Sequence, residues 1–464
     1  MVILDGTIVN VALPSIQSDL GFSQSSLAWV INSYLIAFGG LLLLSGRLGD
    51  LIGRRRILLA GIAVFTVASL LCGLSVNPTM LIAARFLQGV GGALSSAVAL
   101  GMIVTMFPEP RERARAFGVY SFVASAGGAI GLLAGGILTQ EISWHWIFFV
   151  NVPIGVVAGL LSWRLLESDR GIGLGRGADA VGAVLVTGAL MLSVYTIVGT
   201  GTYGWGSVRT IGLGALSLLL LAGFVARQAT AKNPLLPLSI FRPRNVWGAN
   251  LVQFLLVAGM LAFFFMSSLY LRRVGGLNPL QIGIAFMPVA LTIGALSLGV
   301  SARMTTRFGA RRVVLPALAL VAAGFALYIR VPVHSSYVID LLPGMLLLGV
   351  GAGLVFPALT TLAMSSATES DSGMASGLLN TTAQVGGALG LAVLATVAAS
   401  QTAQLLGAGE NAASALTGGF RMVFGISTGL LVAGILLSAT VLRGTTEAPA
   451  SEHEPEAADA EDAA

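Results

Sequence analysis

A chain of 464 residues that is 56% hydrophobic and only 10% charged has too little polar surface to cover a water-soluble core, which excludes a globular soluble enzyme and leaves a polytopic membrane protein. The net charge of +5 lies in short basic segments between apolar runs, so it marks loops at a membrane face and not a nucleic-acid groove. Cys72 is the single cysteine, His145, His334 and His453 fall in loops or the tail, and no G-x-x-x-x-G-K-[ST] run occurs, so the expectation is no disulfide, no metal, no cofactor and no ATP.

The first apolar run is short. About 16 residues precede the polar turn Gln17-Ser18-Asp19, against the roughly 20 that a spanning helix needs, so a beginning upstream, or a start inside helix 1, is expected. The missing basic leader argues against a signal peptide. Within this run, Leu4-Asp5-Gly6-Thr7-Ile8-Val9-Asn10-Val11-Ala12-Leu13-Pro14 resembles the helix-1 motif of the fourteen-helix drug:proton antiporters of the major facilitator superfamily. A carboxylate in an apolar helix is costly and is either functional or polar glue between helices, and Asp5 is read here as the candidate proton carrier.

The second and third runs flank Gly46-Arg47-Leu48-Gly49-Asp50-Leu51-Ile52-Gly53-Arg54-Arg55-Arg56, read as a short cytoplasmic elbow because cytoplasmic loops gather arginine. An orientation signal needs the arginines but not Gly46, Gly49, Gly53 or Asp50. The pattern resembles the superfamily's signature loop between helices 2 and 3, which implies a gate that latches two halves of a transporter around Asp50.

In the fourth run Arg85, Gln88, Gly89 and Gly92 share one helical face. If helix 1 runs outward and helix 4 inward, Asp5 and Arg85 lie at similar depth. Arginine beside a carboxylate favours its ionised form and withdrawal from water favours the neutral one, so a small rearrangement would switch the proton on and off; a static buried pair is the alternative. The stretch resembles the superfamily's helix-4 motif, whose arginine is implicated in proton coupling.

The loop Pro108–Arg115 is again basic. Beyond it Gly127, Gly131 and Gly135 recur at intervals of four, a stripe that lets helices touch backbone to backbone. With Gly136 this resembles the superfamily's antiporter motif, except that Leu132 stands where a proline belongs. Trp144-His145-Trp146-Ile147-Phe148-Phe149-Val150-Asn151-Val152-Pro153-Ile154-Gly155 also resembles the subfamily, with His145 in place of its arginine.

After a linker at 164–178, apolar spans at about 180–198 and 210–226, and a second basic linker, the pattern repeats. Gly309 follows Gly53 by 256 residues, Gly349 follows Gly89 by 260 and Gly386 follows Gly127 by 259. Three ordered matches at nearly one offset indicate a parallel repeat. The expected architecture is all-α: a six-helix bundle at 1–166, two inserted helices with linkers at 167–245, a second six-helix bundle at 246–442, and a disordered acidic cytoplasmic tail at 443–464, fourteen spans in all with helix 1 truncated. Asp50 corresponds to Thr306 and Arg85 to Met345, so the charge chemistry is concentrated in the first half. Asn10, Trp29, Asn32, Tyr34, Gln88, Gln253, Phe264, Asn380 and Gln384 are candidates for a substrate cavity, with plain packing or lipid contact as the alternative for the aromatics.

With both ends inside, only Arg209, Arg272, Arg273, Arg330 and Arg421 fall on the outer side and Arg85 within the membrane, the other basic residues being cytoplasmic, which supports the orientation. The resemblance implies a carrier in a bacterial cytoplasmic membrane that expels lipophilic drugs or other amphiphiles against a proton gradient. Its partners would be a small-molecule substrate and the bilayer. A dedicated exporter of one metabolite or antibiotic and a proton-coupled importer remain alternatives; a non-transporting scaffold is argued against by Asp5 and Arg85. Oligomeric state does not follow from the sequence.

Overall fold

In a computed structural model, which describes residues 1–107, 109–167, 171, 173, 178–365 and 372–443, the described chain is helical throughout, without a strand. The helices are α1 (Val2–Leu20), α2 (Trp29–Ile52), α3 (Arg54–Gly73), α4 (Pro78–Met106), α5 (Pro110–Glu141), α6 (Trp146–Phe149), α7 (Asn151–Leu165), α8 (Ala180–Tyr203), α9 (Val208–Thr230), α10 (Arg244–Arg273), α11 (Pro279–Ala295), α12 (Ser301–Phe308), α13 (Ala310–Tyr328), α14 (Leu342–Met364), α15 (Ser372–Gly407) and α16 (Ala412–Thr440). Among the described residues 11 helical segments are long and apolar enough to cross a bilayer. The acidic tail from 444 on lies outside the described residues, as do much of the first linker and the side chains of Arg111, Arg113 and Arg115.

Two sets of helices pack internally and meet along three seams. In the first set α1 lies on α5, α2 on α3 and α4, and α3 on α4 and α7. In the second, α10 packs on α14, α15 and α16, and α13 on α14 and α16. The seams are α5 with α11, α2 with α15, and α1 with α10. The inserted helix α8 covers one of them: Ile36 of α2 packs with Leu190 and Val194 of α8 and with Ala388 and Ala392 of α15, so α8 touches both sets at once. Helix α9 rests on α8 and leaves its apolar side chains to lipid, only 11% of its spanning window being buried.

Close approach at this seam depends on Gly40, where a β carbon would lie 2.5 Å from Thr187 Oγ1 of α8. Gly40→Val is therefore expected to lower the unfolding midpoint of the purified protein by several degrees, as overpacking costs about 1–3 kcal/mol, whereas Gly188→Ala, inside α8 with nothing within 4 Å, is expected to hold or slightly raise it in the same thermal scan.

The arginine elbow differs from its expected form. It is not a loop: Gly46–Ile52 are the last turns of α2, the three arginines open α3, and the break is the single residue Gly53 at φ 115°. Only glycine takes that conformation without strain, so one residue suffices to turn the chain. Three cations in the first turn of a helix oppose its dipole, and Asp50, one turn back, offsets them through Arg54. The repeat is visible in the backbone, because Gly309 breaks α12 from α13 in the same way at φ 83°. Helix α1 likewise continues past Gln17 to Leu20 and ends at Gly21 in the left-handed conformation, with the Gln17 amide donating to Phe22 O at 3.2 Å.

The inserted helices are stapled at the elbow end. Asp179 caps α8 through the Gly182 N–H at 3.0 Å and accepts from Arg227 Nε at 3.0 Å and Gln228 Nε2 at 2.8 Å, while Gln228 Oε1 holds the Leu236 N–H of the next linker at 3.0 Å. Burial pushes the Asp179 carboxyl up, but those three donors outweigh it and hold it below its ordinary value of 3.8. A carboxyl depressed on folding stabilises above its ordinary value and loses that contribution as pH falls through the folded one. Asp179→Asn is accordingly expected to speed hydrogen exchange across residues 231–243 at neutral pH, and wild type is expected to show the same loosening only below about pH 4.

Candidate functional site

Small residues bring the polar groups together. On α4, a β carbon at Gly89 would lie 2.3 Å from Tyr34 O and one at Gly92 2.8 Å from the Phe38 ring, so α2 closes onto the face that carries Arg85 and Gln88. On α5, a β carbon at Gly131 would lie 2.8 Å from Leu4 O and one at Gly135 2.7 Å from Ile8 O, so α1 lies backbone to backbone on α5 with Asp5 turned into the bundle. Gly127 is looser, its nearest neighbour being Leu4 N at 3.8 Å. Gly136 serves another seam, since its β carbon would lie 2.8 Å from Leu280 Cα of α11; Gly283 returns the contact, 2.5 Å from Leu132 O. A proline at 132 is thus replaced by a residue whose carbonyl abuts the opposing helix.

Asp5 is 0% exposed and Arg85 1%. Arg85 Nη1 donates to Asp5 Oδ2 at 2.6 Å and to Gln88 Oε1 at 2.6 Å, and Nε donates to Val30 O at 2.9 Å. The guanidinium carbon sits 4.4 Å above the Tyr34 ring centre and 5.8 Å from that of Phe148. Asp5 Oδ1 accepts from Gln88 Nε2 at 2.7 Å and from Asn151 Nδ2 at 3.0 Å; Gln88 Nε2 also reaches Ser69 Oγ at 2.8 Å. Helices α4 and α7 therefore meet on the buried carboxylate of α1, and α2 and α3 join the network through Arg85 and Gln88. A buried ion pair is tolerated when hydrogen bonds engage its remaining lone pairs and protons, and here both carboxylate oxygens and the guanidinium Nε and Nη1 are engaged.

Asn151 and Ser69 were not singled out from the sequence. The signal for Asn151 was available: an amide in the apolar string around Phe148-Phe149-Val150, where a polar side chain needs a partner. Ser69, one small hydroxyl in α3, carried none.

At the elbow, Arg54 Nη2 lies 3.0 Å from Asp50 Oδ1, with both side chains partly exposed. Arg55 Nη2 donates to Trp163 O of α7, Gly173 N–H donates to Leu51 O at 3.1 Å, and a β carbon at Gly49 would lie 2.4 Å from Val98 Cγ1. Arg47 is half-buried and Arg56 exposed; Gly46 has only Ala97 Cβ near it, at 3.9 Å.

The cavity candidates divide. Asn32 is fully buried with neither amide atom hydrogen-bonded among the described residues, and Tyr34 OH, Asn10 Oδ1 and Gln253 Oε1 are also buried without a partner. These lie on α1, α2 and α10, which line the seams between the two sets. Trp29 is half-buried at the start of α2, beside α8. Gln384 faces Gly39 across the α2–α15 seam, its Cβ 2.8 Å from where a glycine β carbon would be, while Asn380 is exposed and donates to Ser376 O at 3.1 Å. Phe264 packs in an aromatic cluster, 5.2 Å from Phe263 and 5.4 Å from Phe286. Between the sets, Ser268 Oγ donates to Asn10 O at 2.7 Å, on the same side of Asp5 as the Gly136–Leu280 contact.

A profile of the Major Facilitator Superfamily matches residues 1–391. The chain is 40% identical over 455 residues to the puromycin resistance protein pur8 of Streptomyces alboniger, covering 97% of this chain and 90% of that one. It is 40% identical over 404 residues to the cephamycin export protein CmcT of Amycolatopsis lactamdurans, covering 87% and 83%. Among solved structures it is similar to a bacterial homologue of the human lysosomal transporter Spinster, inward-facing and unoccupied, with a TM-score of 0.66 at 16% identity, covering 95% of this chain and 94% of that one.

Proposed function

The chain belongs to the Major Facilitator Superfamily and is a membrane transporter, not an enzyme, and from that premise we propose that it exports amphiphilic small molecules across a bacterial plasma membrane in exchange for protons. The observation that carries the proposal is the Asp5–Arg85 pair, closed to solvent and held by Gln88 and Asn151 at the meeting point of five helices. No static packing role needs a carboxylate there, since an apolar side chain would fill the space at lower cost.

A proton arriving from outside neutralises Asp5 and releases Arg85, the two helix sets rock about their seams, and substrate leaves from the interface between them. The polar groups without partners on α1, α2 and α10 are the substrate-facing ones in this reading. Fourteen crossings with both ends cytoplasmic, bundles at 1–166 and 246–442 and an insertion at 167–245, place the Asp50–Arg54 elbow at the inner gate.

Two of the relatives are named for single antibiotics, which favours a second reading: a dedicated exporter of one such compound. Proteoliposomes separate these possibilities. Under an inward-directed proton gradient, puromycin, a cephamycin and unrelated lipophilic cations are each expected to move outward and to compete with one another. Movement of one compound without competition establishes the dedicated exporter, inward movement an importer, and no dependence on the gradient removes proton coupling.

A further inference from the structure

We infer that Asn151 is a positioning residue that serves Asp5 in both of its protonation states, donating to the carboxylate as seen here and turning its amide to accept from the protonated acid. The inference rests on the reading of Asp5 as the proton carrier.

Oδ1 of Asp5 accepts from two amides, Gln88 Nε2 at 2.7 Å and Asn151 Nδ2 at 3.0 Å, whereas Oδ2 is held by Arg85. When a proton adds to Oδ1, an O–H bond forms there and no other covalent bond changes. The new hydrogen then points at two N–H donors, and one amide must present its oxygen instead. Gln88 is not free to do so: its oxygen already accepts from Arg85 Nη1 at 2.6 Å and its nitrogen also donates to Ser69 Oγ at 2.8 Å, so turning it breaks both bonds and aims an N–H at a guanidinium. Asn151 is fully buried and its Oδ1 has no partner among the described residues, so half a turn about its last bond breaks no hydrogen bond on the far side and only exchanges an unpartnered oxygen for an unpartnered N–H. Several buried amide oxygens lack a partner among the described residues, but this one belongs to an amide that already donates to Asp5, so as the acceptor held in reserve for the protonated state it has a use.

The titratable groups facing Asp5 are Arg85 from α4, Tyr34 from α2, Cys72 from α3 and the amino group of Met1 on its own helix. The other helices packed on α1, namely α5, α6, α10 and α11, bring no ion pair or charged hydrogen bond to Asp5 among the described residues.

The test is infrared titration of the full-length protein in lipid, following the C=O band of protonated Asp5, which is identified by its absence in Asp5→Asn. Asn151→Leu removes both the donor and the acceptor. Loss of a donor to the charged form outweighs loss of an acceptor from the neutral form, so the midpoint is expected to rise by about one pH unit. Asn151→Thr, whose hydroxyl donates or accepts, is expected to restore the wild-type midpoint to within a few tenths of a unit. If Asn151→Leu does not fold, Asn151→Ala takes its place in the comparison. An unmoved midpoint in the apolar variant, or equal shifts in the apolar and threonine variants, overturns the role of Asn151 and leaves Asp5 as carrier. A wild-type protein with no Asp5 band at any pH overturns the carrier reading itself.

Discussion

Asp5→Asn is expected to abolish substrate-driven proton movement while leaving substrate binding measurable. The substitution keeps the shape of the side chain and removes a carboxylate that is 0% exposed and paired with a buried arginine. Arg85 keeps its bonds to Val30 O and Gln88 Oε1 and its place over the Tyr34 ring, so the cation remains partly compensated and the bundle folds with reduced stability. In proteoliposomes loaded with a pH indicator, wild type is expected to move protons on addition of a transported drug and the variant to move none above the leak of empty vesicles. Equilibrium exchange of labelled drug, which needs no net proton transfer, is expected to survive within about tenfold. Wild-type proton movement in the variant removes Asp5 from the mechanism.

The parts of this site that could be read from the sequence are those set by residues on one helix or in one repeat. Arg85 and Gln88 share a face by helical spacing alone, and Gly131 and Gly135 announce a close contact whatever the partner. Gly53 and Gly309 stand at equivalent places in the repeat, and both break a helix at a positive φ. The elbow reads as a loop because charge density suggests solvent, whereas Leu48, Leu51 and Ile52 give the segment enough helical character to run to a single glycine. What depends on contacts between distant segments was not legible: Asn151 meets Asp5 across 146 residues, and nothing in the local pattern of either says so. The same holds for α8. Its sequence is apolar all round and names no partner, yet its position against α2 and α15 ties the insertion to both helix sets.

Arg85→Gln is expected to be the most destabilising single change at this site, and a double-mutant cycle with Asp5→Asn separates stability from coupling. Removing the guanidinium leaves the Asp5 carboxylate buried with only two amide donors and deprives Val30 O of its N–H, and breaking a buried pair in this way costs about 3–5 kcal/mol. The double variant has no buried charge to compensate, so its cost is expected to fall well below the sum of the single costs, with an interaction energy of about 1–3 kcal/mol. The measurement is the unfolding midpoint in detergent for wild type, both single variants and the double variant. Additive shifts mean that the pair contributes nothing jointly and that each residue acts through its other partners. A recovered midpoint together with absent proton movement in the double variant assigns the charges to coupling and not to the fold, because a bundle that holds together without them keeps them for some other reason.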